Sequence, residues 1–176
     1  DFRDDSGILF SLNDLISLFT VDSNFLNFHN LPKDLTVLAS SFAGGASAYP
    51  LCFDHLDETK KRNIIDRNLT SLKLMNQSVL KSTRPKYFLP YAGFFKESEQ
   101  NDMKIRKINK KNRILDYERF CKKNKINLLN VDKHQIFEFS NHKLKKISKH
   151  KSFINDHDEK FYYDIASKKY SSVNKD

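Results

Sequence analysis

Asp22 is the first residue whose type and position could do chemistry. It follows an apolar, β-rich segment in the context Thr20-Val21-Asp22-Ser23. A carboxylate at the end of a strand is held by a rigid element, which suits a metal ligand. A loop aspartate that caps the following segment has the same local pattern, so both interpretations remain open.

A glycine-rich loop over residues 42–50 (FAGGASAYP) holds two of the four glycines in the chain. Consecutive Gly44 and Gly45 permit positive φ and let backbone N–H groups approach an anion, and Ser47 adds a hydroxyl donor. The loop lacks the spacing of dinucleotide-binding and P-loop motifs. A tight turn that only packs beneath a helix is an equal alternative.

Histidines and cysteines give no self-sufficient metal motif. The six histidines form neither H-x-H-x-D-H nor H-E-x-x-H. His55 follows the glycine-rich loop and is a weak metal-ligand candidate, against the alternative of a solvated loop histidine. Cys52 and Cys121 stand in no C-x-x-C pattern, and we interpret both as packing cysteines.

These candidates require strands that end at a common edge. The sequence predicts a hairpin from residues 6–11 and 15–21, strands over 35–40 and 86–91, and a helix over 57–81 between those two strands. The last of these strands ends at Tyr91-Ala92-Gly93. In open α/β sheets sites form beyond the carboxyl ends of the strands, so Tyr91 and Gly93 join the candidate site.

The remaining elements are weaker. A short helix over residues 114–123 and strands over 126–131 and 135–140 are predicted, followed by a lysine-rich region. The sequence as a whole predicts an α/β layered fold.

Four segments together resemble the CMP-N-acetylneuraminate hydroxylase group of the metallo-β-lactamase superfamily. They occur in the order expected for that group and cover about residues 6–140. The segments are residues 20–23 (TVDS), 41–47 (SFAGGAS) with 49–50 (YP), 84–95 (RPKYFLPYAGFF), and 97–112, which contains Glu97-Ser98 and Asn109-Lys110-Lys111-Asn112.

The resemblance implies the C-terminal half of a four-layer αββα sandwich over residues 1–140, followed by a basic α/β extension over 141–176. A missing N-terminal half of the same domain is then a partner. The resemblance further implies Fe or Zn, one or two ions, with Asp22 as a ligand. A Rieske iron–sulfur cluster would belong only to an absent N-terminal region. The final ligand is open, because Glu99-Gln100 stands where the group has His-Pro.

The implied function is that of a metal-dependent enzyme fragment acting on a nucleotide-activated or acidic sugar. Gly44, Gly45, Ser47, Tyr91 and Gly93 would line the substrate pocket. A zinc-dependent hydrolase of the same fold is an alternative, as is a basic module that binds nucleic acid or an anionic surface.

Composition argues against a membrane-spanning protein, and the distribution of charge bears on the basic-module alternative. The chain has 176 residues, 39% of them hydrophobic, and no apolar run approaches the ~20 residues of a membrane span. It opens on a charged stretch rather than a signal pattern, so we expect a cytoplasmic protein with no membrane partner. The net charge is +9, and 20 of the 31 basic residues follow residue 96, against 12 of the 22 acidic ones. Because this charge lies mostly outside the glycine-rich loop and the strands around it, it says little about the chemistry. The lysines accompany many Asn and Ile residues, a composition that an AT-rich genome also produces, so nucleic acid is disfavoured as a partner.

Overall fold

A computed structural model of the chain describes residues 7–20, 23, 30–44, 49–93, 103–130, 135–140, 143–149, 164 and 168. These residues form a mixed five-stranded sheet of order β1-β2-β3-β4-β5 and a separate two-stranded sheet, β6-β7. The strands and helices are β1 (Ile8–Leu12), β2 (Leu15–Phe19), β3 (Val37–Ser40), α1 (Glu58–Thr83), β4 (Tyr87–Pro90), α2 (Met103–Ile108), a 3₁₀ helix (Ile114–Tyr117), α3 (Glu118–Lys123), β5 (Asn127–Leu128), β6 (Gln135–Ser140) and β7 (Lys143–Lys149). The α/β class expected from the sequence is confirmed.

The predicted hairpin is confirmed at the edge of the large sheet. β1 and β2 pair antiparallel around a tight turn, in which Asn13 takes a left-handed φ of 50°. The other neighbours, β2 with β3, β3 with β4 and β4 with β5, are parallel. The carboxyl ends of β2, β3 and β4 therefore lie at one edge of the sheet.

The core forms where these parallel strands meet α1. All four residues of β3 are buried, as expected of a parallel strand that is covered on both faces. Val79 and Leu80 of α1 pack in one cluster with Leu38 and Phe88 of the central strands. The long helix is thereby fixed against the strands whose ends carry the candidate site.

Local signals set the ends of α1 close to their predicted positions. Asp57 caps its start, since the carboxylate accepts a hydrogen bond of 2.8 Å from the Lys60 backbone N–H. Arg84 ends the helix in a left-handed conformation, with its N–H donating to the Leu80 carbonyl. The sequence predicted residues 57–81, so the helix extends two residues further than expected.

β5 is shorter than the strand predicted over residues 126–131, and Pro90 explains the difference. The N–H groups of Asn127 and Leu129 donate to the carbonyls of Lys86 and Phe88, so even-numbered residues of β4 face β5. Pro90 is the next residue on that side and has no N–H to donate. The regular ladder therefore stops after Leu128.

The region after residue 100 contains two elements that the sequence did not predict, α2 and β7. The predicted helix over 114–123 begins as a 3₁₀ turn before α3. β6 is confirmed and pairs antiparallel with β7. The Leu144 backbone N–H donates to the Tyr87 hydroxyl at 3.2 Å, which connects this pair of strands to β4.

Cys121 and Cys52 differ in their surroundings. Cys121 is buried in the core, as expected, and burial raises the pKa of its thiol to about 11. Cys52 is exposed, so its interpretation as a packing residue is wrong. Across the described residues, none of the helices combines the length and apolarity needed to cross a bilayer.

Candidate functional site at the carboxyl edge of the sheet

The ends of β2, β3 and β4 are tied together by backbone hydrogen bonds. The Thr20 N–H donates to the Ala39 carbonyl at 2.9 Å, and the Tyr91 N–H donates to the Ser40 carbonyl at 3.0 Å. The rings of Phe19 and Tyr91 meet edge to face, with centroids 6.2 Å apart, across the intervening strand end. The common edge predicted from the sequence is therefore present.

Gly93 brings the loop after β4 against the loop after β3. A Cβ atom at Gly93 would lie 2.6 Å from the Cβ of Ala43 and 3.2 Å from its backbone nitrogen, and the φ of Gly93 is +112°. Both the close approach and the backbone conformation require glycine here. The two loops that carry Gly44 and Tyr91 are thus packed directly on each other.

Gly44 faces the long helix. Its φ is +70°, and a Cβ atom there would lie 3.3 Å from Leu72 and 3.4 Å from Leu69, both on α1. This contact supports the packing role that the sequence left open for the loop. It does not test anion binding, because Gly45 and Ser47 lie outside the described residues, as does Asp22.

A buried polar network holds the start of the glycine-rich loop. Asn76 on α1 is 2% exposed, and its Nδ2 donates to the Ser41 carbonyl at 2.9 Å and to the Tyr117 hydroxyl at 3.1 Å. Its Oδ1 accepts from the Ser40 hydroxyl at 3.0 Å. The Tyr117 hydroxyl donates in turn to the Phe42 carbonyl at 3.2 Å. Three consecutive residues, from Ser40 to Phe42, are fixed in this way.

The electrostatics of the network favour neutral groups. Burial raises the pKa of Tyr117 to about 12, and the hydrogen bond from Asn76 offsets part of that rise. The ring of Tyr117 also packs edge to face on Phe88, with centroids 5.5 Å apart. The hydroxyl therefore stays protonated at neutral pH and serves to hold the loop in position.

Asn112 adds a second connection to the same loop. Its backbone N–H donates to the Ala43 carbonyl at 2.9 Å, and its side-chain Nδ2 donates to the Leu69 carbonyl on α1 at 3.0 Å. Sequence reasoning assigned no role to Asn76, Tyr117 or Asn112. For Asn76 a signal existed, because a polar residue stands between Leu72 and Val79 on the apolar face of the helix.

His55 lies in a different environment. It is exposed, and among the described residues its ring contact is edge to face with Phe53, at 5.5 Å between centroids. Phe53 makes the same kind of contact with Tyr49. This arrangement is that of a solvated aromatic group and adds no support to a ligand role for His55.

The described residues do not by themselves form a metal site. Within them no cluster of three or more His, Cys, Asp or Glu side chains could hold an ion. The hydroxyls of Thr20 and Ser40 at this edge are buried and are used in internal hydrogen bonds, to the Ala39 carbonyl and to the Asn76 side chain. Tyr91 is partly exposed at the same edge.

Fold and site together define a mixed α/β protein whose candidate site lies at the carboxyl ends of its parallel strands. Comparison with known proteins shows which proteins the chain is similar to in sequence. The chain is 34% identical over 114 residues, 64% of its length, to the cytidine monophosphate-N-acetylneuraminic acid hydroxylase of Danio rerio. It is 33% identical over 109 residues to the protein of that name from Cricetulus griseus and 34% identical over 97 residues to that from Mus musculus.

The chain spans about a fifth of the length of these curated relatives. No protein-family model matches it, and no solved structure matches it significantly. The similarity to the hydroxylases is therefore a similarity to one part of a longer protein.

Proposed function

We propose that the protein is a metal-dependent hydroxylase of nucleotide-activated sialic acid, and that this chain supplies the carboxyl-edge part of its site. One observation carries the proposal: the identity of 33–34% with proteins named for hydroxylation of CMP-N-acetylneuraminic acid. The relatives' substrate is an anionic nucleotide sugar, rich in hydroxyls and carbonyls. The close packing of the loops that carry Gly44 and Gly93 at the carboxyl edge, where open α/β sheets form their sites, is compatible with a ligand bound there.

The proposed architecture is the C-terminal half of a metallo-β-lactamase sandwich. In that arrangement the described sheet and α1 would be one αβ pair of layers, and an N-terminal half would supply the other. A mixed sheet with a helix packed on it is compatible with this role.

Within this proposal the backbone N–H groups near Gly44 and Gly93 and the hydroxyl of Tyr91 face the sugar. Gly45 and Ser47 join them on the strength of the sequence resemblance. Asn76 and Tyr117 do not touch substrate; they hold the loop from Ser40 to Phe42 in place.

For the metal we propose Fe or Zn, with Asp22 as one ligand and the others from outside the described residues. The described part of the chain does not fit a complete ion site, so we assign it no metal-dependent step. Iron with an electron donor, such as a Rieske cluster in a preceding region, would supply oxygen insertion. Zinc would favour hydrolysis by lowering the pKa of bound water to ~7.

The test is incubation of the full-length protein with CMP-N-acetylneuraminic acid, oxygen and a chemical reductant, followed by mass spectrometry of the sugar. Hydroxylation places one oxygen atom of O₂ in a C–H bond, while the electron donor reduces the other to water. A product heavier by one oxygen atom supports the proposal. Release of free CMP without oxygen gain would instead indicate a hydrolase, and an unchanged substrate would overturn both activities.

The metal assignment is tested with Asp22→Ala in the full-length protein. We expect lower bound-metal content by elemental analysis together with loss of turnover. Asp66→Ala is the matched control, because Asp66 is an exposed aspartate on α1 whose carboxylate forms a surface ion pair with Lys110 at 3.1 Å, and such pairs contribute little to stability. Metal content that is the same in wild type and both variants would remove Asp22 from the site.

A further inference from the structure

A cavity of about 440 Å³ lies at the opposite edge of the sheet from the candidate site. Three connections form it: the residues before β3, the turn between α1 and β4, and the turn between α3 and β5. Neither the sequence motifs nor the proposed function assigns it a role. Its volume is in the range of small-molecule sites.

Cationic side chains dominate the lining of this cavity. Lys81, Arg84, Lys86 and Lys125 contribute four positive charges, and Asp34 contributes one negative charge. Asp34 pairs with Arg84 at 2.9 Å, and Lys81 and Lys86 lie over the rings of Phe120 and Tyr87. The formal charges of the lining residues sum to a net positive charge. A site of this charge attracts an anion.

The cavity also has apolar lining residues, and backbone hydrogen bonds join the connections that form it. Leu35, Leu80 and Ile126 line it and are almost completely buried. The Lys86 N–H donates to the Leu35 carbonyl at 2.8 Å, and the Asn127 N–H donates to the Lys86 carbonyl at 3.0 Å. The three connections are therefore held in register, so the cavity is preformed.

Complementing a helix dipole is the simplest structural role for cations at these positions, because α1 and α3 both end here. The backbone conformations of Arg84 and Lys125 indicate that these two residues do more than complement a helix dipole. Arg84 and Lys125 have φ values of 45° and 58°, in the left-handed region where glycine is the usual residue after a helix. Each position instead keeps a long cationic side chain at the cavity, despite the backbone cost.

We propose that this cavity binds a small phosphate-bearing anion. Arginine and lysine are the side chains that bind phosphate oxygens most strongly, through charge-assisted hydrogen bonds. Lys86 and Lys125 come from separate connections, and Lys81 from α1, so a phosphate group between them would be held from several directions. The proposal does not depend on the hydroxylase function.

The test uses pyrophosphate as the probe and isothermal titration calorimetry on the full-length protein at low salt. We expect saturable binding that weakens as salt is added. Lys86→Gln and Lys125→Gly should each weaken it about tenfold, because each removes a charged partner of the anion. Lys107→Gln is the matched control, since it removes an exposed lysine that does not line the cavity.

Lys125→Gly also separates binding from folding. Glycine relieves the left-handed strain, so this variant should melt about 2 °C higher than wild type while binding pyrophosphate more weakly. Opposite changes in melting temperature and affinity would support a lysine retained for the ligand. The proposal is overturned if pyrophosphate does not bind saturably, or if Lys107→Gln weakens binding as much as the cavity variants do.

Discussion

Replacement of Asn76 by alanine should destabilise the protein more than any exposed change on the same helix. The substitution removes three hydrogen bonds from a side chain that is 2% exposed. At about 1 kcal/mol for each bond, the loss is about 3 kcal/mol. The Ser40 hydroxyl lies 3.4 Å from the Ser41 carbonyl and can turn toward it, which recovers part of that loss. We therefore expect a decrease of about 2–3 kcal/mol in the free energy of unfolding.

Tyr117→Phe isolates one arm of the same network. It removes the bond from Asn76 and the bond to the Phe42 carbonyl but keeps the ring packed on Phe88. The expected loss is about 1–2 kcal/mol. Because the bond between Asn76 and Tyr117 is lost in either single variant, the double variant should fall short of additivity by about 1 kcal/mol.

Urea unfolding followed by circular dichroism measures all three values, provided that the dependence on denaturant is the same in each variant. Ser78→Ala is the control: Ser78 is exposed on α1 and donates to the Leu74 carbonyl, so its loss should change stability by less than about 0.5 kcal/mol. Additive effects of the two network variants, or an Asn76→Ala cost no larger than that of the control, would refute the network as described.

Three further predictions concern single groups. Gly93→Ala should lower the free energy of unfolding in urea by about 2–4 kcal/mol, because the new Cβ would clash with Ala43 and the φ of residue 93 is +112°. A loss below about 1 kcal/mol would mean that the two loops do not touch. The pKa of Tyr117 is raised from 10.0 to about 12, so its contribution to stability should be fully present below pH 10 and should fall by about 2 kcal/mol as pH rises to 12. Tyr117→Phe should show a smaller loss over that range, and equal losses in the two proteins would contradict the assignment. Cys52 is exposed, whereas Cys121 is buried and its thiol has a raised pKa. A thiol reagent should therefore label Cys52 in the native protein and Cys121 only after unfolding. Rapid labelling of both cysteines in the native protein would show that Cys121 is accessible.

The elements that the sequence predicted are those with local signals. The hairpin has turn residues between two apolar runs, and α1 has a capping aspartate at one end and Arg84-Pro85 at the other. β3 was recognisable because a short, continuously apolar strand is typical of a parallel sheet. The meeting of the strand ends then followed from the rule that parallel strands share a carboxyl edge.

The details that sequence could not supply depend on non-local contacts. β5 is limited by the missing N–H of Pro90, a residue on a neighbouring strand. β7 is rich in lysine and has no apolar run of its own. Tyr117 lies 41 residues from Asn76, so nothing local connects them. The requirement for glycine at position 93 likewise arises from Ala43, in a different loop.

The central claim is that the nucleotide sugar binds at the carboxyl edge of the sheet. Hydrogen–deuterium exchange of the full-length protein, with and without CMP-N-acetylneuraminic acid, tests this directly and reports on each loop separately. We predict slower exchange in peptides that contain residues 40–44 and 90–93. Slower exchange at the cavity alone, or the same exchange with and without the nucleotide sugar throughout the protein, would contradict the claim.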